Sequence, residues 1–217
     1  MITREKCVEL IDKYVTTPWL KLHMRESEII RQVVAKRLGE DPEKWGLAGL
    51  LHDLDFDYVG KDPQRHVVEF DDILKKENLE VCRDVDEDIY HAIKAHYEEN
   101  PLVSQKRENS FDYALSASEN LSGFLVACAL VMPDKKLAGV TVASVLKKYK
   151  LPNFAAGAKR ASGIRTTRIA TTSHPNGSIT KKPWLIWQMN SLTMHAARKG
   201  CPTRRQHWLA TTSAATS

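Results

Sequence analysis

Acidic residues are missing from the last 83 residues of this 217-residue chain. All 27 Asp and Glu lie at or before Asp134, so the first 134 residues carry a net charge of −10 and the remainder carries +15. The overall net charge of +5 is therefore an average of two unlike parts and is a poor guide to binding partners. An ordinary domain does not run for 83 residues without a carboxylate, so the sequence predicts a change of character towards its C-terminal end.

Three other absences narrow the class of protein. The four cysteines are far apart, with no C-x-x-C pair, which excludes a disulfide framework and a zinc cluster and suits a reducing cytosol; they are Cys7, Cys82, Cys128 and Cys201. No apolar segment follows the first residues as in a signal peptide, and the longest apolar stretch, 123–132, is too short to cross a bilayer. No glycine-rich phosphate loop is present. We therefore expect a cytoplasmic protein without a membrane partner.

The first 150 residues have the pattern of helices joined by short turns, without a convincing strand. Thr3, Thr17-Pro18 and Asp41-Pro42 are typical helix starts, because a capping side chain is followed in two of them by proline at the first helical position. Further helices are predicted over 63–78, 86–98 and 110–131. These features predict an all-α fold.

After about residue 160 this pattern ends, and residues 161–217 are rich in Thr, Ser, Arg and Trp. Three interpretations stay open for this segment. It is a basic, disordered tail, a nucleic-acid-binding segment, or the frame-shifted translation of a gene whose native end was different. Complete loss of acidic residues fits the frame shift best, and we do not favour nucleic acid as a partner.

His52 and Asp53 close the apolar run 47–51 and are the most informative pair in the chain. Adjacent helical residues point about 100° apart, so they rarely share a task on a surface. A metal ion at a helix end is one of the few things that both side chains can bind. Imidazole nitrogen and carboxylate oxygen together suit Fe, Mn, Ni, Co or Zn.

Other histidines and one carboxylate share apolar stripes of predicted helices. His23 lies in line with Ile30 and Val34, and Glu119 with Leu115, Ser122 and Val126; the remaining members are His66 and His96. His91 falls off the apolar face of its helix. Each residue alone is more often structural than functional. Together they predict a metal site, because helical bundles build such sites from side chains that project inward from facing helices.

With these residues in place, the chain resembles the HD superfamily of metal-dependent phosphohydrolases, in particular its small bacterial single-domain hydrolases. The resemblance rests on the order of the histidines and acids and on the segments WGLAGLLHD at 45–53, ALSASENLSG at 114–123, PDKK at 133–136 and FAAG at 154–157. It covers residues 1–160 and implies a compact multi-helix HD-domain bundle there, with an irregular basic segment at 161–217.

Two departures from the family pattern stand out. Glu119 occupies a position where the family has Asp, and Asn120 one where it has Glu. The extra methylene of Glu119 moves its carboxylate by about one C–C bond, which alters the ligand geometry. The family also continues past the FAAG segment as an acidic, amphipathic helix, whereas this chain does not.

The resemblance implies a first metal bound by His23, His52, Asp53 and Glu119, and a second bound by His66 and His96 with Asp53 as the bridge. The ions would polarise a phosphoryl oxygen and lower the pKa of a water that attacks phosphorus. If one ion binds, His66 and His96 would instead contact the phosphate or protonate the leaving group.

Residues near the dyad are weaker candidates. Asp55 and Asp57 are proposed to orient the water, although solvated loop carboxylates explain them as well. Lys61 and Arg65 are placed near a substrate phosphate by sequence proximity only.

The expected function is metal-dependent hydrolysis of a nucleotide or another small phosphoester, as a phosphomonoesterase or a phosphodiesterase. The alternative is a non-catalytic HD domain that binds metal or nucleotide as a sensor or scaffold. Neither the oligomeric state nor the identity of the metal follows from the sequence.

Overall fold

A computed structural model describes residues 1–158, which contain seven α-helices and one 3-10 helix. The α-helices are α1 (Arg4–Tyr14), α2 (Pro18–Leu38), α3 (Pro42–Leu51), α4 (Phe70–Lys76), α5 (Glu87–Ala95), α6 (Ser110–Leu130) and α7 (Val142–Tyr149), and the 3-10 helix is Leu137–Gly139. Within residues 1–158 the extended pairing is limited to one isolated bridge between Val81 and Val85. The predicted all-α fold class is confirmed. The boundary at residue 160 and the segment 161–217 lie outside the described residues.

The helix starts follow the capping chemistry. The Thr3 side chain accepts a hydrogen bond from the backbone N–H of Lys6, and Asp41 accepts one from Glu43 at 2.9 Å. Pro18 and Pro42 each stand in the first turn of their helices, as predicted. None of the helices within 1–158 combines the length and the apolar character needed to cross a membrane.

Helix α3 is the centre of the bundle, because every residue from Trp45 to Leu51 is buried. It packs against α2 at Gly49, where a side-chain Cβ would come within 2.8 Å of the backbone of Ser27 and Glu28. Only glycine permits this approach. The close crossing of α2 and α3 brings the end of α3, with His52, towards His23 on α2.

A buried arginine joins α2, α3 and α6. Arg31 is fully buried, and its Nε donates to the carbonyl of Trp45 at 2.5 Å while Nη1 donates to the carbonyl of Phe111 at 3.0 Å. Its guanidinium also lies over the rings of both residues, at 5.2 and 4.4 Å from their centroids. Burial lowers the pKa of Arg31 to about 9. This side chain therefore holds α2, α3 and α6 together in the part of the bundle that carries His23 and His52.

The predicted helix over 63–78 was wrong in its first half. Residues 63–69 form turns, and α4 begins only at Phe70, because Val67 adopts a left-handed backbone with φ of 62°. His66 is therefore in a turn segment and not on a helical stripe. The predicted helix over 86–98 is also shorter, and His96 caps the end of α5.

Candidate metal centre

Four histidines and one aspartate converge in the fold although they come from different elements. They belong to α2, the end of α3, the turn segment before α4 and the end of α5; in chain order they are His23, His52, Asp53, His66 and His96. Their potential ligand atoms form two groups, each within 4.8 Å, one of His23, His52 and Asp53 and the other of Asp53, His66 and His96. Asp53 is common to both groups.

Asp53 divides its two carboxylate oxygens between two histidine pairs. Oδ2 lies 3.3 Å from Nε2 of His52 and 3.6 Å from Nε2 of His23. Oδ1 lies 3.3 Å from Nε2 of His66 and 3.6 Å from Nε2 of His96. The two oxygens of one side chain thus face two separate sets of imidazole nitrogens.

Backbone carbonyls fix the orientation of one ring in each pair. His52 Nδ1 donates to the carbonyl of Gly49 at 2.8 Å, and His96 Nδ1 donates to the carbonyl of Ile93 at 2.6 Å. A carbonyl oxygen can only accept, so Nδ1 carries the hydrogen in both rings. Nε2 is therefore the ring nitrogen that faces Asp53, and in a neutral ring it is the nitrogen that can bind a metal ion.

Side chains do the same for the other two rings. His66 Nδ1 lies 2.9 Å from Oδ1 of buried Asp55. His23 Nδ1 lies 3.1 Å from the hydroxyl of Ser122, which itself donates to Glu26 at 2.5 Å. Because the Ser122 hydrogen is directed to Glu26, its oxygen accepts from His23. Partners of this kind orient the histidine ligands of metal sites and raise their basicity.

The four Nε2 atoms fit the ligand positions of metal ions. They lie 3.2 Å apart in the His23–His52 pair and 3.3 Å apart in the His66–His96 pair. Two nitrogens bonded to one ion at about 2.0–2.1 Å, with an angle of about 100° between the bonds, are about 3.2 Å apart. Two lone pairs facing each other at this distance repel unless a proton or a cation lies between them. The donor set and its spacing therefore suit divalent transition metals.

Burial and charge give His23 and His66 different proton affinities. Burial, together with the charge of His52, lowers the pKa of His23 to about 4. Burial acts in the same direction on His66, but hydrogen bonds to Asp53 and Asp55 outweigh it and raise the pKa of His66 to about 10. Although burial opposes its ionisation, the charge of His52 and hydrogen bonds from the surrounding histidines hold the pKa of Asp53 well below its usual range. Asp53 is ionised at neutral pH, as a metal ligand must be.

Glu119 stands beside this centre but outside both ligand groups of the described residues. Its Oε1 accepts a hydrogen bond from the side-chain amide of Asn120 at 2.7 Å. Burial raises the pKa of Glu119, while the charges of His96 and His52 act against that rise. Glu119 and His96 line the same cavity, and the Glu119 carboxylate bonds to Asn120.

A cavity of about 160 Å³ adjoins His96 on the side of α6. Its lining includes His96 and the polar side chains of Tyr97, Arg107, Ser116, Glu119 and Asn120. Arg107 is buried, donates to Ser116 through Nη1 at 2.6 Å and pairs with Glu98 through Nη2. Its Nε is buried without a hydrogen-bond partner among the described residues. Arg107 could not be recognised as a site residue from the sequence, because it lies in a loop outside every periodic pattern.

The two aspartates that follow the dyad have separate structural contacts. Asp55 orients His66, as described above. Asp57 accepts hydrogen bonds from the backbone N–H groups of Thr16 and Thr17, at 2.8 and 2.7 Å, and from both hydroxyls. These bonds tie the turn after α3 to the start of α2, and Asp57 belongs to neither ligand group among the described residues.

The basic residues expected near a phosphate have other partners. Lys61 Nζ lies 3.9 Å from Asp57 and over the ring of Trp19, and Arg65 bonds to Glu69 at 3.1 Å. Arg107, in contrast, lines the same cavity as His96. The hydroxyl of Ser122 and the carboxylate of Glu26 were also missed as ring-orienting groups, although the stripe of Glu119 contains Ser122.

Comparison with known families agrees with this geometry. A family model described as HD domain matches residues 22–116, a range that contains all four histidines and Asp53 and ends three residues before Glu119. Comparison with curated proteins and with solved structures gives no match. HD domains bind divalent metals, and the family is generally hydrolase-like. The expected resemblance is confirmed for this part of the chain: residues 22–116 form an HD domain.

Proposed function

We propose that this protein hydrolyses a small phosphoester at a two-metal centre bridged by Asp53. The observation that carries the proposal is the division of the Asp53 oxygens, with Oδ2 facing His23 and His52 and Oδ1 facing His66 and His96. A carboxylate shared between two sets of imidazole ligands is the arrangement by which two neighbouring ions are held together.

The ligands of each ion follow from the two groups. His23, His52 and Asp53 would hold the first ion, with Glu119 as a further ligand after its carboxylate leaves Asn120. His66, His96 and Asp53 would hold the second. The chemistry that such ions supply when bound is Lewis-acid activation of a phosphoryl group and of the water nucleophile.

The protein's own contribution is orientation and charge. The Nδ1 anchors hold the rings, so that little reorganisation is needed when ligands bind. Arg107 lines the cavity beside His96 and Glu119, where its positive charge supports recognition of a phosphoryl oxygen. A nucleotide or another small phosphorylated metabolite is the proposed substrate.

Metal content of the purified protein, measured by plasma mass spectrometry after exposure to Mn, Fe, Co, Ni or Zn, tests the proposal. Two equivalents are expected in the wild type, with a severe loss in His52→Ala. His91→Ala is the matched control, because His91 lies on α5 away from the ligand groups and near Asp112 at 3.2 Å. Turnover of a panel of phosphomonoesters and phosphodiesters by the loaded protein should be lost in His52→Ala and kept in His91→Ala.

Other outcomes separate the alternatives. One equivalent with turnover would leave His66 and His96 to contact the phosphate or to protonate the leaving group. Bound metal without turnover of any phosphoester would support the non-catalytic sensor or scaffold, an alternative that the position of Glu119 outside both ligand groups favours. No bound metal in the wild type would refute the proposal.

A further inference from the structure

We propose that Asn100 and Lys94 are positioning residues that hold His66 in the second metal site. The inference rests on the proposed function, because His66 is a ligand of the second of the two proposed ions. Neither residue touches an imidazole in the described contacts. Each bonds to the backbone of the turn segment 63–69 that carries His66.

This turn segment has a backbone that its sequence does not favour. Val67 is fully buried and has a φ of 62°. A β-branched residue in the left-handed region is a genuine outlier and persists only where surrounding contacts determine it. The left-handed residue interrupts the helical course immediately after His66, and carbonyl groups that a continuing helix would bond to N–H groups need other donors.

The two N–H donors of the Asn100 side-chain amide are shared among three of these carbonyls. Its side-chain Nδ2 lies 3.3 Å from the carbonyl oxygen of Pro63, 2.9 Å from that of Gln64 and 3.1 Å from that of His66 itself. The residue is 3% exposed. Its Oδ1 accepts from the backbone N–H of Leu102 at 3.0 Å, which fixes the side chain so that the amide nitrogen faces the turn segment.

Lys94 bonds to the turn segment at and after the left-handed residue Val67. This lysine is 6% exposed, and its Nζ donates to the carbonyl of Val67 at 2.7 Å and to that of Val68 at 3.4 Å. Its charge is balanced by Asp71 at 3.0 Å. A lysine buried in this way requires partners, and here backbone carbonyls supply most of them.

The consequence is selective. Residues 63–69 carry His66, whereas His23 and His52 are held by α2, α3 and their own anchors. Loss of a donor at Asn100 or Lys94 is therefore expected to release His66 from Asp53 and to leave the His23–His52 pair in place. Loss of partners that orient a metal ligand typically weakens metal affinity by about 10–100-fold.

Asn100→Asp is the sharpest variant, because it has the same shape and keeps the acceptor for Leu102 but replaces the donor with an oxygen. The matched control is Asn109→Asp. Asn109 is an exposed helix cap whose side chain accepts from Asp112, a task that aspartate performs equally well. Lys94→Met keeps the aliphatic length and removes the ammonium, and Lys36→Met on the exposed face of α2 is its control.

Two measurements are made on each variant. Binding of each Mn²⁺ or Zn²⁺ equivalent is followed by calorimetry, and the imidazole ¹⁵N resonances are recorded on the metal-free protein. In Asn100→Asp and Lys94→Met, the second equivalent is expected to bind 10–100-fold more weakly with the first changed less than about threefold. The His66 resonances should shift and those of His23 should not, while both controls match the wild type.

An unchanged second equivalent with unmoved His66 resonances would overturn the inference, and so would equal weakening of both equivalents, which indicates a general structural loss. If Asn100→Asp fails to fold, Lys94→Met decides by the same criteria. If the wild type binds no second ion, the two-metal function fails, and the His66 resonances of the metal-free variants still decide the positioning role.

Discussion

Replacing Asp53 with asparagine is expected to remove both ions, because each oxygen of this carboxylate serves a different histidine pair. Asparagine has the same shape, so packing is retained while the negative charge is lost. Two unit charges 4 Å apart interact by about 4 kcal/mol at an effective dielectric constant of about 20. That corresponds to roughly a thousandfold in affinity. A divalent ion bonded to the oxygen would be closer and more highly charged, which increases this attraction, and desolvation of the ion and the carboxylate offsets part of the increase.

The assay is titration of metal-free Asp53→Asn with Mn²⁺ or Zn²⁺, beside Asp55→Asn as the comparison. Asp55 contacts His66 and no other histidine in the described contacts, so its variant should weaken one equivalent and spare the other. Asp53→Asn should weaken both by a thousandfold or more. Retention of one equivalent at near wild-type affinity in Asp53→Asn would refute the shared carboxylate, even if activity were lost.

Three further predictions concern other contacts. If Glu119 is a ligand, Glu119→Gln should lower the affinity for the ion at the His23–His52 pair about tenfold or more, whereas Glu119→Asp should retain more affinity. Equal affinity of the wild type and both variants in calorimetry would exclude Glu119 as a ligand. Arg31→Met leaves two carbonyls without donors and should lower the free energy of unfolding by about 2–4 kcal/mol in urea denaturation. A loss below about 1 kcal/mol would contradict the role of Arg31 in holding α2, α3 and α6 together. The raised pKa of His66, about 10, stabilises the metal-free protein fully below about pH 6.5, and this stabilisation is lost as the pH rises through about 10. Denaturation of metal-free protein at pH 6 and pH 10 should show a fall that His66→Gln lacks.

Capping and spacing predicted most helix starts, because those signals act within a few residues. Thr3, Asp41 and the prolines that follow Thr17 and Asp41 make their contacts locally, and the structure has helices where they predict them. The same local character explains why the order of histidines and acids indicated a metal site. Ligands on helix ends and inner faces can be recognised one element at a time.

The orientation of His23 could not be predicted, because it depends on groups distant in sequence. Ser122 orients His23 from 99 residues away, and Glu26 accepts the hydrogen of Ser122 from 96 residues away. The sequence predicts Asp55 as a water-orienting group or a solvated loop carboxylate, because its separation from His66 along the chain gives no indication of the hydrogen bond that joins them. Anchors of this kind become visible only when the bundle is assembled.

The turn segment before α4 shows how far a distant contact can override a local preference. The apolar spacing of Phe70, Ile73 and Leu74 after His66 is that of a helix, and the structure keeps the helix where those three residues lie. It ends the pattern at Val67, whose left-handed backbone is supported by Lys94 through its carbonyl. A continuous helix would have carried His66 on a stripe with the core. The interruption instead directs the His66 imidazole to Asp53. The unfavourable backbone of Val67 lies where Asn100 and Lys94, two donors from elsewhere in the fold, support it, as expected at a functional site.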